Sequence, residues 1–176
     1  RSTGDEMTPR TRGIFAPGIY GPWTTDDRMP WGGDYHLNYN YQATWYGVFG
    51  SNHPELSRAF YIPVLQYLPE AARIADRDYG CPGAYFTGSL GPLGYVSTDV
   101  GDMGQRSNGL LLAMVAARHW RHTRDVAFFN RSTFETVGSR APYGNGATPY
   151  LLMRDVAEFW VCYLQRNESR PGEPYV

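Results

Sequence analysis

The chain has 176 residues, the size of one domain, and a formal net charge of −1 from 16 basic and 17 acidic residues. This balance excludes the basic face of a nucleic-acid-binding protein, and no apolar run reaches the roughly 20 residues that span a bilayer. Aromatic residues make up 15% of the chain and charged residues only 19%. Tyrosine and tryptophan combine a flat apolar face with a polar edge, so this surplus suits clefts that bind sugar rings, although most aromatics are expected in the core.

Residues 1–33 are rich in glycine, proline and threonine and are predicted to form an extended N-terminal segment or linker. Helical patterns begin after it, and residues 34–176 are interpreted as the main domain. The first predicted helix covers the apolar stretch 41–49. The second begins at Pro54 and continues to Gly80, with prolines at 63 and 69 that are expected to kink or divide it.

Three more helices are predicted in the second half of the chain. The glycine-rich stretch 80–104 precedes them and is expected to be a long irregular loop with a short strand at 95–97. The helices cover about 105–122, about 125–136, and the residues from Thr148 onward. Their apolar stripes are Leu111, Val115, Ala116 and His119 in the third helix and Leu152, Val156, Phe159, Trp160 and Tyr163 in the fifth. The predicted fold class is therefore all-α, with about five helices paired as hairpins.

The segment 31–42 carries polar residues at alternate positions, and an extended strand would place them on one face. Those residues are Asp34, His36, Asn38, Asn40 and Gln42, and the intervening Tyr35, Leu37, Tyr39 and Tyr41 would face the core. A polar row of this kind is costly to bury without partners. It therefore either lines a cleft or faces water as an ordinary half-exposed strand.

The residues from Trp31 to Gln42, followed by Ala43–Tyr46, resemble the entry to the first barrel helix of glycoside hydrolase family 95. That family contains alpha-L-fucosidases and related alpha-L-galactosidases. The likeness extends over roughly residues 20–166, and its other matching segments are Tyr79–Cys81, Gly104–Asn108, Thr123–Phe129 and Tyr150–Trp160.

The resemblance implies a partial six-hairpin (α/α)6 toroid, which a β-sandwich precedes in the family. A twelve-helix barrel needs roughly 200 residues at the least, and only about five helices are predicted here. Residues 34–176 are accordingly interpreted as the first half of a helical-barrel domain. An open half barrel would expose the apolar stripes of its helices, so another chain, a processed segment or further sequence is expected to complete it.

The resemblance also assigns candidate site residues. Asn38 and Asn40 match the Asn-x-Asn pair that holds and polarises the attacking water in the family. The implied substrate-binding residues are Trp31 as a stacking ring, Asp34, His36, Gln105 and Asn108. His119 and His122 lie one helical turn apart, but no third ligand accompanies them, so neither a metal ion nor a cofactor is expected.

One departure from the family concerns the catalytic acid. In the family this acid lies seven residues before an aspartate in the turn between two helices. Counting back from Asp125 gives Arg118, and the family's base lies beyond residue 176. An inverting glycosidase needs an acid and a base roughly 6.5–9.5 Å apart. The acid is therefore unassigned, and the local candidates are Asp34, Asp99, Asp102 and Glu135.

Three functions follow from these observations. The first is part of a glycosidase that hydrolyses an alpha-L-fucoside or related glycoside with inversion. The second is a catalytically degenerate relative that binds glycans or serves as a structural extracellular glycoprotein, which Arg118 favours. The third is a generic helical interaction module whose polar segment is merely exposed, so that Asn38 and Asn40 would face bulk water.

Two N-glycosylation sequons, at Asn130 and Asn167, favour a secreted or extracellular protein. The chain opens with a polar segment instead of a signal peptide, which suggests processing or earlier sequence that is missing. Cys81 and Cys162 either pair in an oxidising compartment or remain two buried thiols.

Overall fold

The computed structural model describes residues 16–19, 26–91, 105–130 and 146–168. Helices predominate among these residues, which confirms the helical class that the sequence predicts. The helices are α1 (Asn40–Ala43), α2 (Tyr46–Gly50), α3 (Arg58–Tyr79), α4 (Asn108–Thr123), α5 (Val126–Asn130) and α6 (Pro149–Glu168), and the strands are β1 (Tyr35–His36) and β2 (Ser89–Leu90). None of the helices in these ranges is long and apolar enough to cross a membrane.

The prolines were expected to kink or divide helix α3, and since the helix is continuous through both of them, they do not divide it. Each proline lacks the amide N–H of a helical hydrogen bond, and its ring costs roughly 3 kcal/mol inside a helix. Burial of the apolar stripe beside the prolines offsets this cost, since a fully buried leucine or valine side chain contributes about 1.5–3 kcal/mol. The side chains without solvent exposure in this stripe are Phe60, Tyr61, Val64, Leu65, Leu68, Ala71 and Ala75.

The other helix boundaries follow local capping residues. Thr148 precedes α6 and its Oγ1 accepts a hydrogen bond from the Leu151 amide at 3.1 Å. Asp125 precedes α5 in the same way and accepts from the Phe128 amide at 2.9 Å. Such oxygens satisfy amides that the first turn of a helix leaves unpaired. The predicted helix starts near 125 and 148 are confirmed, while residues 131–136 of the fourth predicted helix lie outside the described residues.

The two strands pair antiparallel, with Tyr35 opposite Leu90 and His36 opposite Ser89. The Leu37 amide extends the ladder by donating to the Gly88 carbonyl at 2.8 Å. The strand predicted at 95–97 lies outside the described residues. This short ribbon anchors the chain immediately before the Asn-x-Asn segment.

Cys81 and Cys162 form a disulfide, which decides between the two alternatives that the sequence leaves open. Close packing of the same loop against α6 accompanies the bond. Gly83 has φ +89°, and a Cβ atom there would lie 2.2 Å from the Asp155 carbonyl oxygen and 2.4 Å from the Phe159 nitrogen. Only glycine fits this conformation and this approach, so the loop after α3 is held directly on the backbone of α6.

His119 of α4 is buried and lies against Tyr61 of α3. Its Nδ1 lies 3.0 Å from the Tyr61 hydroxyl and 3.3 Å from Ser57 Oγ, and the Phe128 ring lies 4.4 Å from the imidazole by centroids. Burial lowers the pKa of His119 to about 4, so the ring is neutral at pH 7. The described residues contain no cluster of three or more metal-ligating side chains, and His119 serves the core instead.

Candidate functional site

The candidate site begins with a left-handed turn at its N-terminal end. Trp31, Gly32 and Gly33 have φ values of 60°, 65° and 66°. Glycine adopts this conformation freely, but in tryptophan it costs roughly 1–2 kcal/mol. The turn leaves the Trp31 side chain 65% exposed. Backbone strain of this kind occurs preferentially at ligand-binding positions, and the flat indole face suits stacking against a sugar ring.

Asp34 and His36 lie on the same side of β1, because side chains two residues apart in a strand share a face. Asp34 Oδ1 lies 2.6 Å from His36 Nδ1, and the Trp31 ring approaches the imidazole edge-on at 5.0 Å between centroids. Asp34 is only 9% exposed. The carboxylate is directed at His36, which is the more accessible member of the pair, and the contact of Asp34 with sugar hydroxyls stays a prediction.

Beyond His36 the extended-strand prediction is wrong, since a turn leads into α1 at Asn40. Gln42 is fully buried, and its side chain donates from Nε2 to the Leu37 carbonyl at 2.6 Å and accepts from the Tyr39 amide at 3.2 Å. Tyr39 was expected in the core but is 56% exposed. The reason is the change of side-chain period from 2 in a strand to 3.6 in a helix, which moves Gln42 inside and Tyr39 outside.

The turn gives the two candidate catalytic asparagines different environments. Asn40 is exposed at the first position of α1, whereas Asn38 is half-buried. Asn38 Oδ1 is buried and has no hydrogen-bond partner among the described residues. An unsatisfied buried acceptor costs roughly 1–3 kcal/mol, so this oxygen favours a polar group that comes from outside the described fold. Within the described ranges, the other buried side-chain atoms without a partner are Trp45 Nε1, Gln66 Oε1 and Gln105 Oε1.

The two polar residues predicted to bind substrate near α4 are less accessible. Asn108 is 1% exposed, and its amide nitrogen lies 3.5 Å from the Phe86 carbonyl as a donor. Its predicted contact with substrate stays a prediction. Gln105 is half-buried, and its backbone carbonyl accepts from the Tyr85 hydroxyl at 3.0 Å.

Arg118 occupies the position expected for a general acid. Contacts through two tyrosines connect it to the turn that holds Asn38 and Asn40. Its guanidinium carbon is 4.6 Å from the centre of the Tyr46 ring, and the Tyr46 ring lies 6.3 Å from that of Tyr39. Sequence reasoning missed both tyrosines. A glutamine three residues after Tyr39, at a helix start, is a local signal that could have placed Tyr39 at the N-cap.

The remaining predicted positions are only partly described. Asn130 is exposed at the end of α5, and Asn167 falls in the last turn of α6. The alternative acids Asp99, Asp102 and Glu135 lie outside the described residues.

Comparisons with known proteins agree with the family resemblance. The family model of the glycosyl hydrolase family 95 catalytic domain matches residues 9–173. The probable alpha-fucosidase A of Aspergillus niger is 24% identical over 162 residues, which cover 89% of this chain and 18% of that protein. The chain thus spans less than a fifth of the relative's length. No solved structure matches the chain at a significant level.

Proposed function

Because the chain belongs to glycosyl hydrolase family 95, we propose that it forms the first part of a glycoside-hydrolysing helical barrel. Residues 31–42 form one wall of the sugar site in this proposal. The substrate class is an alpha-L-fucoside or a related glycoside at the end of a glycan, cleaved with inversion.

The observation that carries the proposal is the buried, unpartnered Oδ1 of Asn38. Exposed aromatic side chains at Trp31 and Tyr39 flank it in sequence, and both have positive φ. Sugar rings offer apolar C–H faces to aromatic rings and hydroxyls to amides, so the arrangement fits a pyranose better than an apolar ligand. It also counts against a merely solvated polar segment, in which Asn38 would face bulk water.

In the proposed mechanism, Asn38 and Asn40 position the attacking water. Inversion requires one carboxylic acid to protonate the leaving oxygen and one carboxylate to activate the water. Arg118 stays protonated and cannot donate as a carboxylic acid does. The acid is therefore another group, for which Asp34 remains a candidate among the described residues, and we assign the base to the remainder of the barrel.

Exposed apolar positions on α4 and α6 support completion of the barrel by further helices. In α6, Tyr150, Val161 and Leu164 are 50%, 58% and 47% exposed, and they fall on one helix face. In α4, Leu110 and Met114 are one turn apart and are 42% and 39% exposed. We assign the cover of these faces to the rest of the barrel, from further sequence, a processed segment or another chain, because soluble proteins seldom leave such faces open.

Secretion is part of the same proposal. The Cys81–Cys162 disulfide supports it, because such bonds persist in oxidising compartments. The exposed Asn130 sequon at the end of α5 also supports it.

The test is hydrolysis of a panel of nitrophenyl glycosides and fucosylated oligosaccharides by the full-length protein. We expect Asn38→Ala and Asn40→Ala to lower kcat/KM roughly 100-fold on the cleaved substrate. Asn52→Gly is the matched control, because Asn52 is exposed with φ +61°, which glycine accepts. Proton NMR of the fresh product should show the inverted anomer. Undiminished hydrolysis by both alanine variants would refute the assignment of the asparagines.

A non-catalytic glycan-binding protein is the second candidate, and the arginine at position 118 favours it. The same panel separates the two functions. A glycan that binds with dependence on Asn38 but is never cleaved supports the second candidate, whereas turnover supports the first.

A further inference from the structure

Three of the described arginines pair with a carboxylate, whereas Arg118, like Arg124, lies over an aromatic ring. Arg73, Arg77 and Arg154 each pair with a carboxylate. Arg118 is half-buried in α4, and the described residues offer its guanidinium no carboxylate or hydrogen-bond acceptor; it lies over the face of the Tyr46 ring. A guanidinium carries five N–H donors, and those of Arg118 are available to an acceptor.

The ring contact orients the guanidinium and leaves its donors available. An arginine that stacks flat on an aromatic face keeps its N–H groups directed outward in its own plane, where they match a carboxylate or sulfate. Tyr46 in turn contacts Tyr39, which is 56% exposed. The Arg118 guanidinium therefore contacts the Tyr46 ring, and that ring contacts the exposed ring of Tyr39, which lies between Asn38 and Asn40 in sequence.

We propose that Arg118 binds an anionic group, a carboxylate or a sulfate ester, on a glycan whose sugar ring lies against Tyr39. This inference rests on the proposed glycan site and specifies its ligand class as an acidic glycan. The anion accepts hydrogen bonds from the guanidinium, and the sugar ring lays its apolar face on the tyrosine. Uronic acids and sulfated sugars share this chemistry.

Calorimetric titration of the full-length protein tests the inference with three size-matched oligosaccharides: a neutral one, a uronate-containing one and a sulfated one. We expect an acidic oligosaccharide to bind roughly 10-fold more tightly than the neutral one, because a hydrogen bond to a charged group contributes this much. The preference should weaken in high salt, because the charges are partly exposed. Whichever of the two acidic oligosaccharides binds more tightly identifies the anion as carboxylate or sulfate.

Arg118→Gln should abolish the preference for the acidic ligand and leave neutral binding unchanged. Arg121→Gln is the control, because Arg121 is exposed on the same helix and is also cationic. Tyr46→Phe keeps the ring and should retain the preference, whereas Tyr46→Leu should lower it. Thermal unfolding of each variant, followed by circular dichroism, identifies any loss that comes from misfolding.

Equal affinity for neutral and acidic oligosaccharides would overturn the inference, as would a preference that survives Arg118→Gln. Neutral binding that depends on Asn38 would then still support the proposed glycan site. Absence of binding to all three oligosaccharides, together with absence of hydrolysis, would refute the proposed function and this inference together.

Discussion

His36 Nδ1 lies 2.6 Å from Asp34 Oδ1, so the carboxylate determines which ring nitrogen remains for a ligand. A carboxylate accepts a hydrogen bond from Nδ1–H and leaves Nε2 as the acceptor in the neutral ring. Asn in place of Asp34 can donate to Nδ1 and reverse the tautomer. We expect Asp34→Asn to weaken glycan binding or kcat/KM roughly 10-fold, measured by titration or turnover.

The control for this prediction is Asp76→Asn, which removes an exposed carboxylate from α3. It should leave binding unchanged. A purely structural role for Asp34 predicts a lower unfolding temperature with unchanged affinity, so measuring both quantities separates the two roles.

Gln42 holds the turn between the two asparagines through the Leu37 carbonyl and the Tyr39 amide. Truncation by Gln42→Ala leaves both backbone groups without these partners. We expect a loss of roughly 2–3 kcal/mol in unfolding free energy from urea titration, together with weaker glycan binding. Gln66→Ala is the matched control, because Gln66 Oε1 is also buried but has no partner to lose. An equal loss in both variants would contradict a specific role for Gln42.

Neutral His119 makes stability depend on pH. Its pKa is about 4 in the folded protein, against about 6.5 in an unfolded chain. Between these values the unfolded chain binds a proton that the folded protein does not, so unfolding free energy falls as pH falls. The expected total is roughly 3 kcal/mol from this group, lost between pH 6.5 and 4, with no further change below pH 4.

Urea titrations across this pH range measure the effect. His119→Phe fits the aromatic surroundings and should flatten the slope, even if its stability at pH 7 is lower. His122→Gln alters an exposed imidazole on the same helix and should keep the wild-type slope. A wild-type slope in His119→Phe would show that other groups cause the pH dependence.

The Cys81–Cys162 disulfide joins residues 81 positions apart in sequence. A loop of this length restricts the unfolded chain enough to stabilise the fold by roughly 4 kcal/mol. We expect the double variant Cys81→Ser/Cys162→Ser to lose about this much in urea unfolding. Thiol labelling of the unfolded wild-type protein should find both cysteines protected without reductant, and labelling of both would contradict the bond.

Much of the helical framework is predictable because it depends on neighbours in sequence. The stripe that contains Leu152, Val156 and Phe159 recurs at helical spacing, and all three are buried in α6. Thr148 marks the start of that helix through its own side chain. The continuity of α3 was not predictable, because local rules weigh Pro63 and Pro69 without the packing that offsets them.

The chemistry of the candidate site was predictable in composition but not in arrangement. The sequence by itself determined that residues 31–42 concentrate amide, carboxylate, imidazole and aromatic groups, and that position 118 is a cation. Tertiary structure alone decided that Gln42 turns inward, that Cys81 pairs with Cys162, and that Arg118 stacks on Tyr46. The physical reason is range: side-chain period and capping are set within a few residues, whereas burial and pairing arise only where segments distant in sequence pack together.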